Sequence, residues 1–205
     1  TCLGDSVYFT QVGSANLTSW VWDFGDGNTS TQQNPVHAYE NSGVYNVTLS
    51  FTDDVGCSDE VRHTVYAFEP PDVDFISSIT SACQHATVNF HGSGSNNIVQ
   101  WLWDFGDGTT GAGKDVTHIY TNTFGSIPVT LEVTDDKGCI SYVTHNIFIS
   151  SPPNADFEYN VVTCDTLQFI DQSTAPPGFF LVQWQWDFGD GGTSVLQKPE
   201  HTYTQ

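Results

Sequence analysis

The chain has 205 residues, with 24 acidic side chains against 4 Lys or Arg and a formal net charge of −20. At 38% hydrophobic and 14% aromatic residues it can fill cores, which excludes a disordered acidic tail. So few cations exclude nucleic-acid binding through phosphates and attraction to anionic lipid. No apolar run is long enough for membrane insertion as a helix. Thr1 is not a natural start, so the sequence reads as a mature or excised piece. Five cysteines and no methionine fit an oxidising, extracellular setting.

Apolar residues alternate with a period of two, and helical periodicity is absent. In chain order, Val7 and Phe9 mark a short strand. The next strand puts Trp20, Trp22 and Phe24 on one face, with Val21 and Asp23 on the other. It ends in a tight turn, because Gly25 and Gly27 tolerate positive φ and Asp26 can bond its own turn backbone. His37 and Tyr39 then share a face, where a phenol can close a corner by bonding to backbone. A longer strand carries Tyr45, Val47, Leu49 and Phe51 inward. After the turn at Asp53-Asp54 and Cys57, a last strand holds Val61, His63 and Val65.

The series then repeats with a period of roughly 80 residues, long enough for one domain per copy. The second copy has Trp101, Trp103 and Phe105, the turn residue Asp107, and the corner His118 and Tyr120. Its inward strand is Ile127, Val129, Leu131 and Val133, followed by Asp135-Asp136, Cys139 and a strand with Val143, His145 and Ile147. The third has Trp184, Trp186, Phe188, Asp190, His201 and Tyr203. Cys2, Cys83 and Cys164 precede the three copies of the motif, and Pro-Pro-x-x-Asp-Phe opens the second copy at Pro70 and the third at Pro152. The expected domains are 1–69 without its first strand, 70–151 complete, and 152–205 without its last two strands, a window onto a longer tandem array. Short strands, turn residues and no helix predict all-β sandwiches of about seven strands each. Two departures stand out: Pro128 sits inside a strand and predicts a bulge or local loss of pairing, and Ala175–Gly178 lengthens the loop before Trp184.

Several chemistries compete with a purely structural reading. Asp23 and Asp26 form a carboxylate pair at a turn, as acid–base catalysis would need, but no nucleophile–base–orienter set accompanies them and turn geometry explains both. His37, His118 and His201 lack a second His or Cys at zinc spacing, and His63 and His145 fall on alternating strand positions. No cofactor is expected, with calcium the one candidate. Asp53, Asp54, Asp135 and Asp136 are oxygen-rich strand ends that suit a hard cation, though no Asp-x-Asp-x-Asp loop is present. All six tryptophans belong to the Trp-x-Trp motifs, so a glycan ligand would need other aromatics, such as Phe179 and Phe180 in the long loop. Asn16, Asn28 and Asn46 lie in Asn-x-Ser/Thr sequons.

Trp-x-Trp-Asp-Phe-Gly-Asp-Gly (Trp20–Gly27), Pro-x-His-x-Tyr (Pro35–Tyr39), Gly-x-Tyr-x-Val-Thr-Leu (Gly43–Leu49) and Thr-Asp-x-x-Gly-Cys (Thr52–Cys57) together resemble the PKD domain. The resemblance covers nearly the whole chain. It implies an immunoglobulin-like β-sandwich, an extracellular location, and a spacer or adhesion role. The cysteine pattern is similar to that of PKD repeats in Bacteroidota surface proteins, including gliding-motility adhesins and type IX-secreted proteins. Ser6 and Thr166, in Asp-Ser-Val and Asp-Thr-Leu, resemble the short O-glycosylation motif of that group.

Two cysteine wirings compete. One staples each copy internally, as Cys2–Cys57 and Cys83–Cys139. The other follows from counting alternating strands: the Cys before the second strand lies at one end of the sandwich and the Gly-Cys turn at the other. A strand of six or seven residues spans about 20 Å, whereas bridged Cα atoms lie within about 7 Å. The count favours Cys2–Cys139 between copies, with Cys83 and Cys164 bonding later copies and Cys57 an earlier one. The expected function is an extended acidic stalk or filament, whose partners are neighbouring repeats and other copies. The alternative is an adhesin or carbohydrate-binding module.

Overall fold

The computed structural model describes residues 1–13 and 17–204, and no helix occurs among them. The first repeat contains β1 (Val7–Tyr8), β2 (Leu17–Asp23), β3 (Thr29–Ser30), β4 (Val36–His37), β5 (Gly43–Asp53) and β6 (Ser58–Ala67). The second contains β7 (Val73–Ser77), β8 (Ser81–Cys83), β9 (Thr87–Gly94), β10 (Ile98–Asp104), β11 (Thr110–Ala112), β12 (Asp115–Ile119), β13 (Gly125–Asp135) and β14 (Ile140–Ser150). The third contains β15 (Phe157–Val161), β16 (Thr166–Asp171), β17 (Trp186–Asp187), β18 (Thr193–Ser194) and β19 (Glu200–Thr202).

Each repeat divides its strands between two sheets. In the first they are β3-β2-β5-β6 and β1-β4; in the second, β11-β10-β13-β14-β8 and β12-β9-β7; in the third, β17-β18 and β15-β16-β19. This is the immunoglobulin-like sandwich, repeated in tandem. By packing density the chain divides into two compact units. One holds Thr1–Ser77, Asn89–Val116 and Val129–His145, and the other Ser78–Val88, Thr117–Pro128 and Asn146–Gln205.

The strands form where alternation lets one face be buried. In the first repeat Trp22, Phe24, Tyr39, Val47, Leu49 and Ala67 make the core, with Val7, Phe9, Trp20, Tyr45, Phe51 and Val65 packed against it. In the second, Ile127, Val129, Leu131 and Val133 are all buried along β13. Among the described residues of the third only Phe169 and Pro199 are buried. The first tryptophans of the motif, Trp20, Trp101 and Trp184, are half-buried rather than buried, as are Trp186 and Phe188. The last two differ from Trp22 and Phe24 because the third repeat has no counterpart of β5 and β6 among the described residues.

Pro128 does not interrupt its strand: β13 runs continuously from Gly125 to Asp135. The register with β10 ends at Asp104↔Thr130, so Pro128 lies past the last β10 partner and costs no ladder donor on that side. In the first repeat the equivalent backbone, at Asn46, faces the turn glycine Gly25 instead of a β2 residue. The sheet's irregularity is on β10, between Ile98 and Gln100, and β2 repeats it between Leu17 and Ser19.

Candidate functional site: the motif turn and the cysteine joint

The hexapeptide builds the same turn three times. Gly25, Gly106 and Gly189 have φ of 81°, 75° and 83°, and Gly27, Gly108 and Gly191 have 94°, 88° and 91°, values L side chains rarely adopt. The first aspartate accepts from the first glycine: Gly25 N–H to Asp23, Gly106 N–H to Asp104, and Gly189 N–H to Asp187, at 2.9–3.0 Å. The second accepts from the residue after the second glycine: Asn28 to Asp26, Thr109 to Asp107, and Gly192 to Asp190. The second tryptophan's indole N–H donates to a backbone carbonyl, that of Gln32, Gly113 or Leu196, at 2.7–3.0 Å. These carboxylates therefore accept from amides of their own turn.

The corner packs onto that turn. His37 stacks on Phe24 with ring centroids 4.1 Å apart, and its Nε2 bonds Asp26 Oδ2 at 2.7 Å. His201 stacks on Phe188 at 4.1 Å and bonds Asp190 at 2.8 Å. Each histidine meets the next tyrosine edge-on, as His118 does with Tyr120. Tyr39 and Tyr203 donate their hydroxyls to the carbonyls of Phe24 and Phe188, both at 3.2 Å. Burial pushes the Asp26 carboxyl up, but hydrogen bonds from the Asn28 amide, His37 and the Asn28 side chain outweigh it and hold the group below its usual range. Burial, with Asp26 and Tyr45 nearby, pushes the Tyr39 hydroxyl up to about 12. His201 and the Gly192 amide hold Asp190 below the usual carboxylate range.

The residue facing the first tryptophan differs among the repeats, a feature the motif itself does not announce. It is Gly92 in the second repeat and Asp171 in the third, two places after Phe90 and Phe169; the sequence equivalent in the first, two places after Phe9, is Gln11. In the second repeat a Cβ on Gly92 would meet the Trp101 ring at 2.6 Å, so glycine makes the room. Lys114 caps that ring from 5.7 Å. In the third, Trp184 Nε1 donates to Asp171 Oδ2 at 2.8 Å. In the first, Trp20 Nε1 is buried without a partner among the described residues.

Cys2 is bonded to Cys139, with Cα atoms 5.4 Å apart, so the start of the first repeat is tied to the Gly-Cys turn of the second. Cys57, Cys83 and Cys164 are exposed free thiols. The internal pairings Cys2–Cys57 and Cys83–Cys139 are therefore not formed. The reason lies in β6. Cys2 pairs with Phe68, just past the end of that strand, while Cys57 stands just before its start. Ten residues of strand separate them, about 33 Å. Cys83 sits likewise beside the end of β14, opposite Ser150. At the joint Cys139 is buried, and Lys137 lies 5.8 Å above the Phe68 ring.

The acidic turns hold themselves. Asp53 Oδ1 accepts from Val55 and Cys57 N–H, and Asp135 Oδ1 from Lys137 and Cys139 N–H, at 2.8–3.0 Å. Asp135 is buried and also accepts from Asn97. Asp136 pairs with Lys137 at 3.1 Å, which leads the contacts that hold its carboxyl below the usual range, and Asp54 is exposed. Among the described residues no three His, Cys, Asp or Glu side chains are gathered as a metal site. The buried Asp135 is thus the keystone of the turn that presents Cys139, a role the sequence signals only by the recurring Asp-Asp-x-Gly-Cys spacing.

Of the glycosylation candidates, Asn28 is exposed with its amide on Asp26, and exposed Asn46 accepts from Thr64. Ser6 is exposed, Thr166 is half-buried against Thr202, and Asn16 lies outside the described residues. In the long loop Phe179 stacks on Phe148 and Phe180 is 88% exposed.

Fold and motif turn together define a tandem array of immunoglobulin-like β-sandwich modules. The chain belongs to the PKD domain family, whose pattern matches residues 3–67, 68–149 and 150–205. It is 31% identical over 141 residues to the pre-pro-metalloprotease PrtV of Vibrio cholerae serotype O1, covering 63% of this chain and 14% of that protein. It is 43% identical over 67 residues to a microbial collagenase of Vibrio alginolyticus, covering 31% of this chain and 8% of that protein. The chain thus spans a small fraction of the length of the relatives it matches. Among solved structures it is similar to the PKD1 domain of Vibrio anguillarum Epp, with TM-score 0.35 and 24% identity over 40% of this chain and 96% of that one.

Proposed function

We propose that the chain is a non-catalytic, extracellular spacer, a stretch of acidic stalk or filament in a secreted or cell-surface protein. The Cys2–Cys139 bond carries this reading, because it ties one repeat to the next. A staple at a repeat joint resists bending and pulling, and it requires an oxidising compartment. By the same equivalence Cys83 and Cys164 bond later repeats and Cys57 an earlier one, so the partners are neighbouring repeats and, in a filament, other copies. The short Pro70-Pro71 and Pro152-Pro153 linkers favour an extended array. The net charge of −20 keeps such a surface hydrated and its copies apart. Relatives named as a metalloprotease and a collagenase, matched over a small part of their length, support an accessory segment. The cysteine pattern supports a Bacteroidota surface adhesin or type IX-secreted protein in particular. Small-angle scattering of the oxidised chain and of Cys139→Ser tests it. A rod is expected, with a broader distance distribution in the variant; a compact globule in the oxidised chain overturns the stalk.

The adhesin or carbohydrate-binding reading is favoured by one observation, the exposed Phe179 and Phe180 of the long loop. Saturable binding on a glycan array that Phe180→Ser abolishes would decide for it.

A further inference from the structure

Cys2 and Cys139 stand 137 residues apart in sequence, and their Cα atoms lie 5.4 Å apart. Between them run β1 to β13, with the core on Trp22, Phe24 and Leu49 and most of the core on Trp103, Val129 and Leu131. Tension that reaches Cys2 from its N-terminal side has two routes onward. One runs through every residue of this loop. The other crosses a single covalent bond. The short route takes the load, whatever chain precedes Cys2, and the loop stays slack.

The chain after Cys139 yields little either. β14 begins at the next residue and runs for 11 residues, Ile140–Ser150. A strand already rises about 3.3 Å per residue against a limit near 3.6 Å, so β14 lengthens by only about 3 Å when pulled taut. The two ends of the bond are unequally covered. Cys139 is 0% exposed, and its N–H is held by Asp135, whereas Cys2 is half-buried. Cys57, the free thiol of the first repeat, lies a full length of β6 from Cys2, too far to exchange with it.

We propose that the Cys2–Cys139 bond is a force bypass and a redox switch of length. While it is closed, tension passes from Cys2 to Cys139 and on through β14, and residues 3–138 keep their fold under load. A dithiol reductant from outside opens it. Its thiolate attacks Cys2 Sγ and expels the Cys139 thiolate; its second thiol then displaces Cys2 from the mixed disulfide. Two electrons and two protons pass to the cysteines, and the reductant leaves as a disulfide. The loop then enters the load path, and about 45–50 nm of chain becomes available over its 137-residue separation. The inference rests on the stalk reading only for the source of the tension.

The test holds the full 205-residue chain by peptide tags at its two ends and pulls it until a tag detaches, before and after dithiothreitol is added. In the oxidised chain the gain in length should come only from residues after Cys139 and stay below about 24 nm. After reduction a further gain of about 45–50 nm is expected. Cys139→Ser should show the long gain without reductant, and Cys57→Ser should leave both wild-type patterns unchanged. These lengths, found in a chain that scatters as a compact globule, would sink the stalk and uphold the bypass. The proposal is overturned by the long gain in the oxidised wild-type chain, by no added gain after reduction, or by a Cys139→Ser chain that stays short.

Discussion

The second and third repeats carry the same hexapeptide and put it to different depths. Trp103 is 1% exposed, between Phe75 and Phe90 with Leu131 as its strand partner. Its counterpart Trp186 is half-buried, although it keeps the same contacts to Phe157 and Phe169 and the same indole bond to a backbone carbonyl. The turn is therefore encoded locally by two glycines and two aspartates. The burial is not local; it needs a strand pair like β5 and β6 laid over the aromatic face. The difference should be visible in energy. Trp103→Ala should destabilise the second repeat by about 3–5 kcal/mol, whereas Trp186→Ala should cost the third only about 1–2 kcal/mol. Hydrogen exchange resolved by repeat measures both, and equal losses would show that the hairpin cover contributes little.

The first tryptophan sharpens the same contrast. Gly92→Ala drives a methyl to 2.6 Å from the Trp101 ring and 3.1 Å from the Lys114 carbonyl, and the carbonyl is backbone that cannot swing away. A loss of about 1–3 kcal/mol is expected, seen as a lower melting temperature. Gln11→Ala, at the equivalent position, introduces no such collision and should lower it far less. If the two substitutions shift the melting point alike, the glycine is there for another reason.

How far the sequence speaks follows from the same residues. Strand periodicity and the repeated turn were legible because alternation and Gly-Asp-Gly chemistry are local. The antiparallel course of successive strands also places Cys2 and Cys57 at opposite ends of β6, which is why topology bears on the joint between Cys2 and Cys139. What stayed hidden was non-local. Pro128 looks like a defect in a central strand until the end of the β10 register at Thr130 is known. The role of Asp171 depends on Trp184, far away across a long loop.

The corner tyrosines give a smaller test. Tyr39 is 1% exposed and Tyr203 half-buried, yet each bonds the equivalent carbonyl, of Phe24 or Phe188, at 3.2 Å. Tyr39→Phe leaves the Phe24 carbonyl without that donor in a buried place and should cost about 0.5–1.5 kcal/mol. Tyr203→Phe should cost less, because water reaches the Phe188 carbonyl. Urea denaturation of the two variants compares them directly.

Acid gives the finest distinction. Asp171 is held down to about 2 by the Ser173 hydroxyl and amide, with Gln197 and Trp184 adding to them. A carboxyl depressed in the folded state stabilises it fully above its unfolded value near 4, and that stabilisation is lost as the pH falls through the folded value. The third repeat should therefore loosen as the pH falls from about 4 to about 2, with Trp184 emission reporting it. Asp190, also depressed, adds to the same trend. The second repeat has Gly92 where the third has Asp171, so its first tryptophan has no carboxylate to lose. Asp171→Asn should flatten the acid response of the third repeat and leave that of the second unchanged. An unaltered acid profile in the variant would mean that the Asp171–Trp184 bond does not couple protonation to this fold.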